Sequence, residues 1–475
     1  MRPWLWLLLV LATSASSLAG SLSAQTLGGR FLDAAVDSLV QEHLASGEVA
    51  GLTVAAARGD DLLHLEGYGR ADLELGVRTP LDAVYEIGSV TKQFTAVLAL
   101  LFAEEGLLDL DADLSEYPPF FDTGGRRVPL RRLLDHTSGI KGYTESPAFF
   151  GGIATQALPR DTLLRLMEGE AWDFEPGYGL IYNNTGYFLM GRILEEVSGS
   201  SYADLLQERI FGPLGMDRTH YCDPSRVVEG RAKGYQASAE GLGRAPYLDH
   251  RWPFAAGSIC STARDLIRWN RALHGGEVLS AEGYRSLITP EPLADGSPVL
   301  YAKGLVHRKD RYGEVIEHGG GIFGFLSEVR YYPEEDLALV VLQNTAGPRA
   351  PGAVIEGLAS LLLPPAPAPS ETEPYTGDPR LLAGRYRGPG RGTSIEVEIR
   401  AEAGALYARS EGGEEVRLDY VGDGRFMGPQ GTRIWFVDEE GRVADEPLDE
   451  PARGLRWAQG GFGVYPLERV GERQE

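Results

Sequence analysis

The chain has 475 residues, 43% hydrophobic and 24% charged, an ordinary balance for a globular protein and more than one small core needs. Its formal net charge of −23 argues against nucleic acid or an anionic membrane surface as a partner. Two cysteines in such a length are no disulfide framework, so Cys222 and Cys260 are expected as small buried thiols rather than a bridge.

Arg2 precedes the apolar run Trp4–Ala12, and a small, hydroxyl-rich stretch continues to Ala24. The run is far shorter than the ~20 residues that span a bilayer. Residues 1–24 therefore read as a signal peptide cut after Ala24, which implies a secreted or periplasmic protein. No cysteine lies there to carry a lipid, and no membrane anchor is expected after cleavage.

Next, Leu32–Leu44 has the periodicity of an amphipathic helix. Leu52–Ala57 and Leu62–Tyr68 read as strands joined by the turn Gly59-Asp60-Asp61. Gly88-Ser89 opens a strongly apolar helix running to about Glu105. The middle is mostly helical. Phe188–Val197 is one helix; Ser261 is the expected cap of Thr262–Leu273, and Ser280 caps another that stops before Pro290. Val315-Ile316, Phe325–Tyr332 and Leu337–Leu342 read as antiparallel strands, with Ala353–Leu363 as a closing helix.

Prolines 364, 365, 367 and 369 mark a stiff linker over residues 364–378. Residues 379–475 hold short strand-like runs between glycine and acidic turns: Gly384–Tyr386, Ser394–Ile399, Ala405–Ala408, Val416–Tyr420, Arg433–Val437 and Gly463–Leu467. This is the pattern of a small β-barrel or sandwich.

Three segments carry chemistry. Ser89 and Lys92 stand one helical turn apart, so a lysine of depressed pKa could take the proton that makes a serine hydroxyl nucleophilic. Tyr182-Asn183-Asn184 ends a loop rich in proline and glycine, where a tyrosine can relay protons and Asn184 can bond an amide. His318-Gly319-Gly320-Gly321 closes a strand, its glycines letting backbone approach a ligand. Each pattern alone has a structural explanation.

Rival readings of these segments fail. The spacing Gly319, Gly321, Gly324 matches a dinucleotide fingerprint, but strand-like sequence follows it instead of a helix. His-Gly-Gly-Gly also spells an α/β-hydrolase oxyanion motif, yet the chain has no Gly-x-Ser-x-Gly elbow. No two of the eight histidines lie within five residues of each other, so a metallo-hydrolase is not supported, and neither metal nor cofactor is expected.

Taken in order, Ser-x-x-Lys, Tyr-x-Asn and His-x-Gly resemble the serine β-lactamase/penicillin-binding family. The closest branch is the class C-like one of D,D-peptidases, D-aminopeptidases and esterases. Glu86–Ser89, Leu133–Gly139, Phe211–Met216 and Ser261–Leu266 are similar to its flanking text. The resemblance implies an α/β (α+β) fold, with an antiparallel sheet flanked by helices and an all-helical lobe, over residues 25–363. It implies a lipocalin-like β-barrel over 379–475. Ser89 would be the nucleophile, and Lys92 and Tyr182 would share acid and base work. Asn184, His318 and Gly320 would face the substrate, and the N–H groups of Ser89 and Gly321 would form the oxyanion hole.

His318 stands where β-lactamases of this branch carry lysine, and a histidine near its ordinary pKa of about 6.5 is only partly charged. The expected enzyme is thus a serine hydrolase acting on small molecules or peptides, cell-wall fragments included, as a D-amino-acid peptidase or esterase. A class C-like β-lactamase and a non-catalytic binding protein on the same scaffold remain the alternatives. Oligomeric state is left open.

Overall fold

The computed structural model describes residues 31–471 apart from 119–120, 147–148, 150–151, 168–170 and 366–373. The expected signal peptide and the middle of the proline-rich linker lie outside the described residues.

Strands Gly51–Arg58 and Leu337–Gln343 are almost continuously apolar, which suits a sheet covered on both faces. They pair antiparallel at the centre of a seven-stranded sheet. To one side lie Asp61–Asp72 and Val77–Arg78; to the other lie Phe325–Tyr332, Gly313–Ile322 and Val306–Asp310. Alternate side chains serve two cores. Val54, Ala56, Leu339 and Val341 pack with Val36 and Val40 of helix 31–44 and with Ile355 and Leu358 of helix Gly352–Leu362. Ala55, Ala57, Val340 and Leu342 belong to the larger core with Phe94, Leu266 and Trp269.

Helix Thr91–Glu104 is buried nearly all round, because it runs through the middle of that larger core. Phe94 stacks on Trp269 at 4.2 Å, and the indole N–H donates to Gln93 Oε1 at 2.9 Å. The lobe between the sheet's two halves is mainly helical. Two three-stranded sheets adjoin it, one of them completed by Thr345–Ala346, and their strands, two to four residues long, are too short to show a period in sequence.

Two local expectations change. Helix Ala263–His274 is capped by Thr262, whose side chain accepts from the Asp265 N–H, and not by Ser261. Cys222 and Cys260 form a disulfide and are not free thiols. Strands His220–Tyr221 and Ile259–Ser261 pair antiparallel, which brings the two cysteines' Cα atoms to 5.2 Å although 38 residues separate them in sequence.

Beyond the linker, eight antiparallel strands from Gly384–Gly390 to Gly463–Val470 form a closed barrel, its first and last strands pairing at Arg385↔Val470 and Arg387↔Glu468. Closure removes exposed sheet edges, and Tyr386, Val397, Ile399, Phe436, Leu455 and Leu467 fill the inside. The barrel is fastened to the hydrolase part. Its Gly463 and Val464 pair with Ile181 and Leu180 as a short strand. Leu180, Tyr182, Tyr301 and Val306 share one buried cluster with Trp435, Ala458 and Val464. Beside it, the buried Arg456 guanidinium meets the fully buried Asp295 carboxylate at 2.5 Å. A fully buried apolar side chain contributes about 1.5–3 kcal/mol, whereas the attraction within a buried ion pair is largely offset by the cost of taking both charges out of water. The apolar cluster is therefore the main fastening.

Candidate active site

Ser89 lies in the single helical turn Gly88–Val90 that leads into helix Thr91–Glu104. That turn is pressed against strand Gly313–Ile322. Gly88 has φ +50°, and a Cβ on it would lie 2.9 Å from the Gly321 nitrogen. Gly320 faces the same turn: a Cβ there would meet Ile87 O at 2.1 Å and Ser327 Oγ at 2.3 Å. These glycines are required by close backbone approach, which brings the third motif against the first. Ser327 Oγ donates to Ile87 O at 2.8 Å and locks the contact.

Lys92 points from the next turn into the interior, with 0% of its surface exposed. Its Nζ is 3.2 Å from Ser89 Oγ, 2.8 Å from Asn184 Oδ1 and 2.7 Å from Ala256 O. It also lies 4.8 Å from the centre of the Tyr182 ring. Burial, with the positive charge of Arg391 adding to it, holds this amine well below the usual lysine range. Tyr182 is pushed the other way: burial raises its phenol, while Ser89 and Arg391 partly oppose the rise. Its hydroxyl is buried without a well-formed hydrogen bond among the described residues.

Asn184 opens helix Asn184–Ser198, which Asn183 caps by accepting the Gly186 N–H. The Asn184 amide donates to Thr144 Oγ1 at 3.1 Å, so both ends of the side chain are engaged. His136 ties down the loop that carries Tyr182. Its Nδ1 accepts the Asn183 N–H at 3.2 Å, and its carbonyl accepts the Ile181 N–H.

His318 differs from the partly charged group read from sequence. It is buried, and burial together with the nearby Lys92 lowers its pKa to about 3. Nδ1 lies 2.5 Å from Gly319 O, an atom that can only accept. Nδ1 therefore carries the hydrogen, and Nε2 accepts from the Tyr301 hydroxyl at 2.9 Å. His318 is a neutral structural ring with both nitrogens occupied.

The structure thus brings Ser89, Lys92, Tyr182, Asn184, His318, Gly320 and Gly321 to one place, and adds residues that no motif announced. The Tyr182 N–H donates to Phe462 O at 3.2 Å, and the Phe462 ring packs edge-on against Tyr182 at 5.5 Å. Arg391, at the tip of a barrel hairpin, holds its guanidinium 5.2 Å from the Tyr182 ring. The glycine-rich text Gly388-Pro389-Gly390-Arg391-Gly392 signals a turn, but nothing in it signals where that turn lands. Among the described residues, no group of three or more His, Cys, Asp or Glu side chains is placed to hold a metal ion.

The fold and this arrangement of serine, lysine and tyrosine define a serine hydrolase. The model of the Beta-lactamase family matches residues 36–362. Penicillin-binding protein 4* of Bacillus subtilis (strain 168) is 30% identical over 334 residues, covering 66% of this chain and 71% of that protein. A D-aminopeptidase of Gluconobacter oxydans (strain 621H) is 28% identical over 368 residues, covering 77% and 68%. The structure of D-amino acid amidase from Ochrobactrum anthropi SV3 superposes with a TM-score of 0.61 at 27% identity, over 70% of this chain and 99% of that one. The chain belongs to the beta-lactamase family.

Proposed function

We propose that the protein is an exported D-amino-acid peptidase or esterase that works through an acyl-enzyme on Ser89. The observation that carries this reading is the 3.2 Å approach of Lys92 Nζ to Ser89 Oγ at a fully buried lysine of depressed pKa. A neutral amine has two hydrogens, which Asn184 Oδ1 and Ala256 O accept, and one lone pair left for the Ser89 hydroxyl hydrogen. Lys92 is then the first base. Tyr182, kept as a neutral phenol, is suited to hand a proton to the leaving group.

In this scheme Ser89 Oγ attacks the carbonyl carbon while its proton passes to Lys92. The N–H groups of Ser89 and Gly321 hold the oxyanion, each such donor being typically worth about 2.7–4 kcal/mol. The leaving group departs with a proton, and water releases the acyl group by the reverse transfers. Preference for D-amino-acid substrates is supported by the D-aminopeptidase and D-amino acid amidase relatives. A neutral His318 offers no cation on the third-motif strand, where β-lactamases of this branch carry lysine, and this supports a preference for peptides and esters. Export is supported by the composition of residues 1–24 and by a disulfide, a bond characteristic of oxidising compartments.

The test pairs labelling with turnover. A fluorophosphonate should form its adduct on Ser89, located by peptide mass spectrometry. D-alanyl anilide and a short-chain nitrophenyl ester should be hydrolysed faster than a chromogenic cephalosporin and faster than the L-anilide. An adduct elsewhere defeats the mechanism, and a faster cephalosporin defeats the substrate reading alone.

A further inference from the structure

Arg391 is a cation at the active site whose hydrogen-bonding capacity is unspent among the described residues. Lys92 is committed to Ser89, Asn184 and Ala256. His318 is neutral with both nitrogens occupied. Arg391 is different. It sits in the two-residue turn between paired Gly390 and Thr393, with Gly392 at φ +71°, so the strands aim it closely. Its side chain is 48% exposed, and among the described residues its N–H groups make no hydrogen bond.

The ion-pair partner of Arg391 among the described residues, Glu145, stands 3.9 Å from Nε, beyond hydrogen-bond distance. Glu145 is itself 5% exposed beneath the hairpin, and its pKa rises to about 7 through burial and the neighbouring Asp173. It steadies the arginine from below and leaves the outer edge of the guanidinium open. The guanidinium lies over the Tyr182 ring, against which Phe462 packs, and such aromatic surroundings weaken the competition from water. A planar fork of parallel N–H donors in such a place is the natural partner of a carboxylate, and its charge disfavours a free ammonium group.

We propose that Arg391, supplied by the barrel, binds the carboxylate of the substrate and selects peptides that end in a free D-amino acid over their terminal amides. This rests on the peptidase reading above and narrows it to the carboxypeptidase type. Arg391 is then the residue that sets specificity, and the barrel is its carrier.

The experiment compares kcat/KM of the full-length protein for N-acetyl-D-alanyl-D-alanine and for its C-terminal amide, in wild type, Arg391→Gln and Arg391→Lys. The acid-to-amide ratio should fall roughly 10- to 100-fold in Arg391→Gln, the worth of charge-assisted hydrogen bonds, mainly through KM of the acid. Arg391→Lys should recover most of the loss, which a merely structural arginine would not require. If both peptides are hydrolysed and the ratio stays within threefold of wild type, the arginine assignment fails while the peptidase reading stands. If neither peptide is hydrolysed while Ser89 still takes a fluorophosphonate, both fail together.

Discussion

The two regions that meet at the site are built on different principles. The hydrolase part places its chemistry by short-range rules: Ser89 and Lys92 share a helical turn, Asn184 opens a helix, and Gly320 is small so that a strand can touch the nucleophile's turn. The barrel reaches the same site through one strand pairing and one hairpin tip, which deliver Phe462 and Arg391. The candidate chemistry is thus written in closely spaced motifs, and the barrel's wall beside Tyr182 is attached from elsewhere.

The largest expected effect belongs to the machinery. Ser89→Ala should lower turnover by about 10³-fold or more, as deletion of a covalent nucleophile does, with the thermal midpoint nearly unchanged. Steady-state kinetics beside calorimetry checks both halves of that statement. The fastening between the regions should come next. Arg456→Ala leaves Asp295 buried without its partner, and breaking a buried pair in this way costs about 3–5 kcal/mol. Denaturant unfolding should show it. If Arg456→Ala leaves stability untouched, the buried ion pair takes no part in fastening the barrel. Reduction of Cys222–Cys260 should cost somewhat less, roughly 2–4 kcal/mol for a loop of this kind. Because Cys260 pairs with Glu86 three residues before the nucleophile, Ser89 labelling should slow alongside.

Sequence was a good guide to the architecture of both regions and a poor one to where the second meets the first. The three motifs, the central strands and the helix through Phe94 all carry a local signature, a fixed spacing or a period. The barrel strands Arg425–Met427 and Gly454–Gln459 escaped notice for physical reasons. The first has three residues between glycines, and the second is buried along most of its length and so does not alternate. Arg391 and Phe462 reach the site through pairings made hundreds of residues from Ser89, which no window of sequence contains. The cysteine bridge was hidden by a register that only the folded strands define. The charge of His318 was misjudged because its reference pKa says nothing of burial beside Lys92.

In the proposed mechanism a buried, neutral Lys92 activates Ser89 under the electrostatic influence of the barrel. The pH dependence of the rate at which a fluorophosphonate acylates Ser89, in wild type and in Arg391→Gln, tests it most directly. Deprotonation of the lysine should raise the rate, with a midpoint well below the usual lysine range near 10.4. Removing the nearby positive charge stabilises the protonated amine, so the midpoint should move upward in Arg391→Gln, by less than burial has already lowered it. A wild-type midpoint near 10, or one that stays in place when Arg391 is neutralised, would contradict the account.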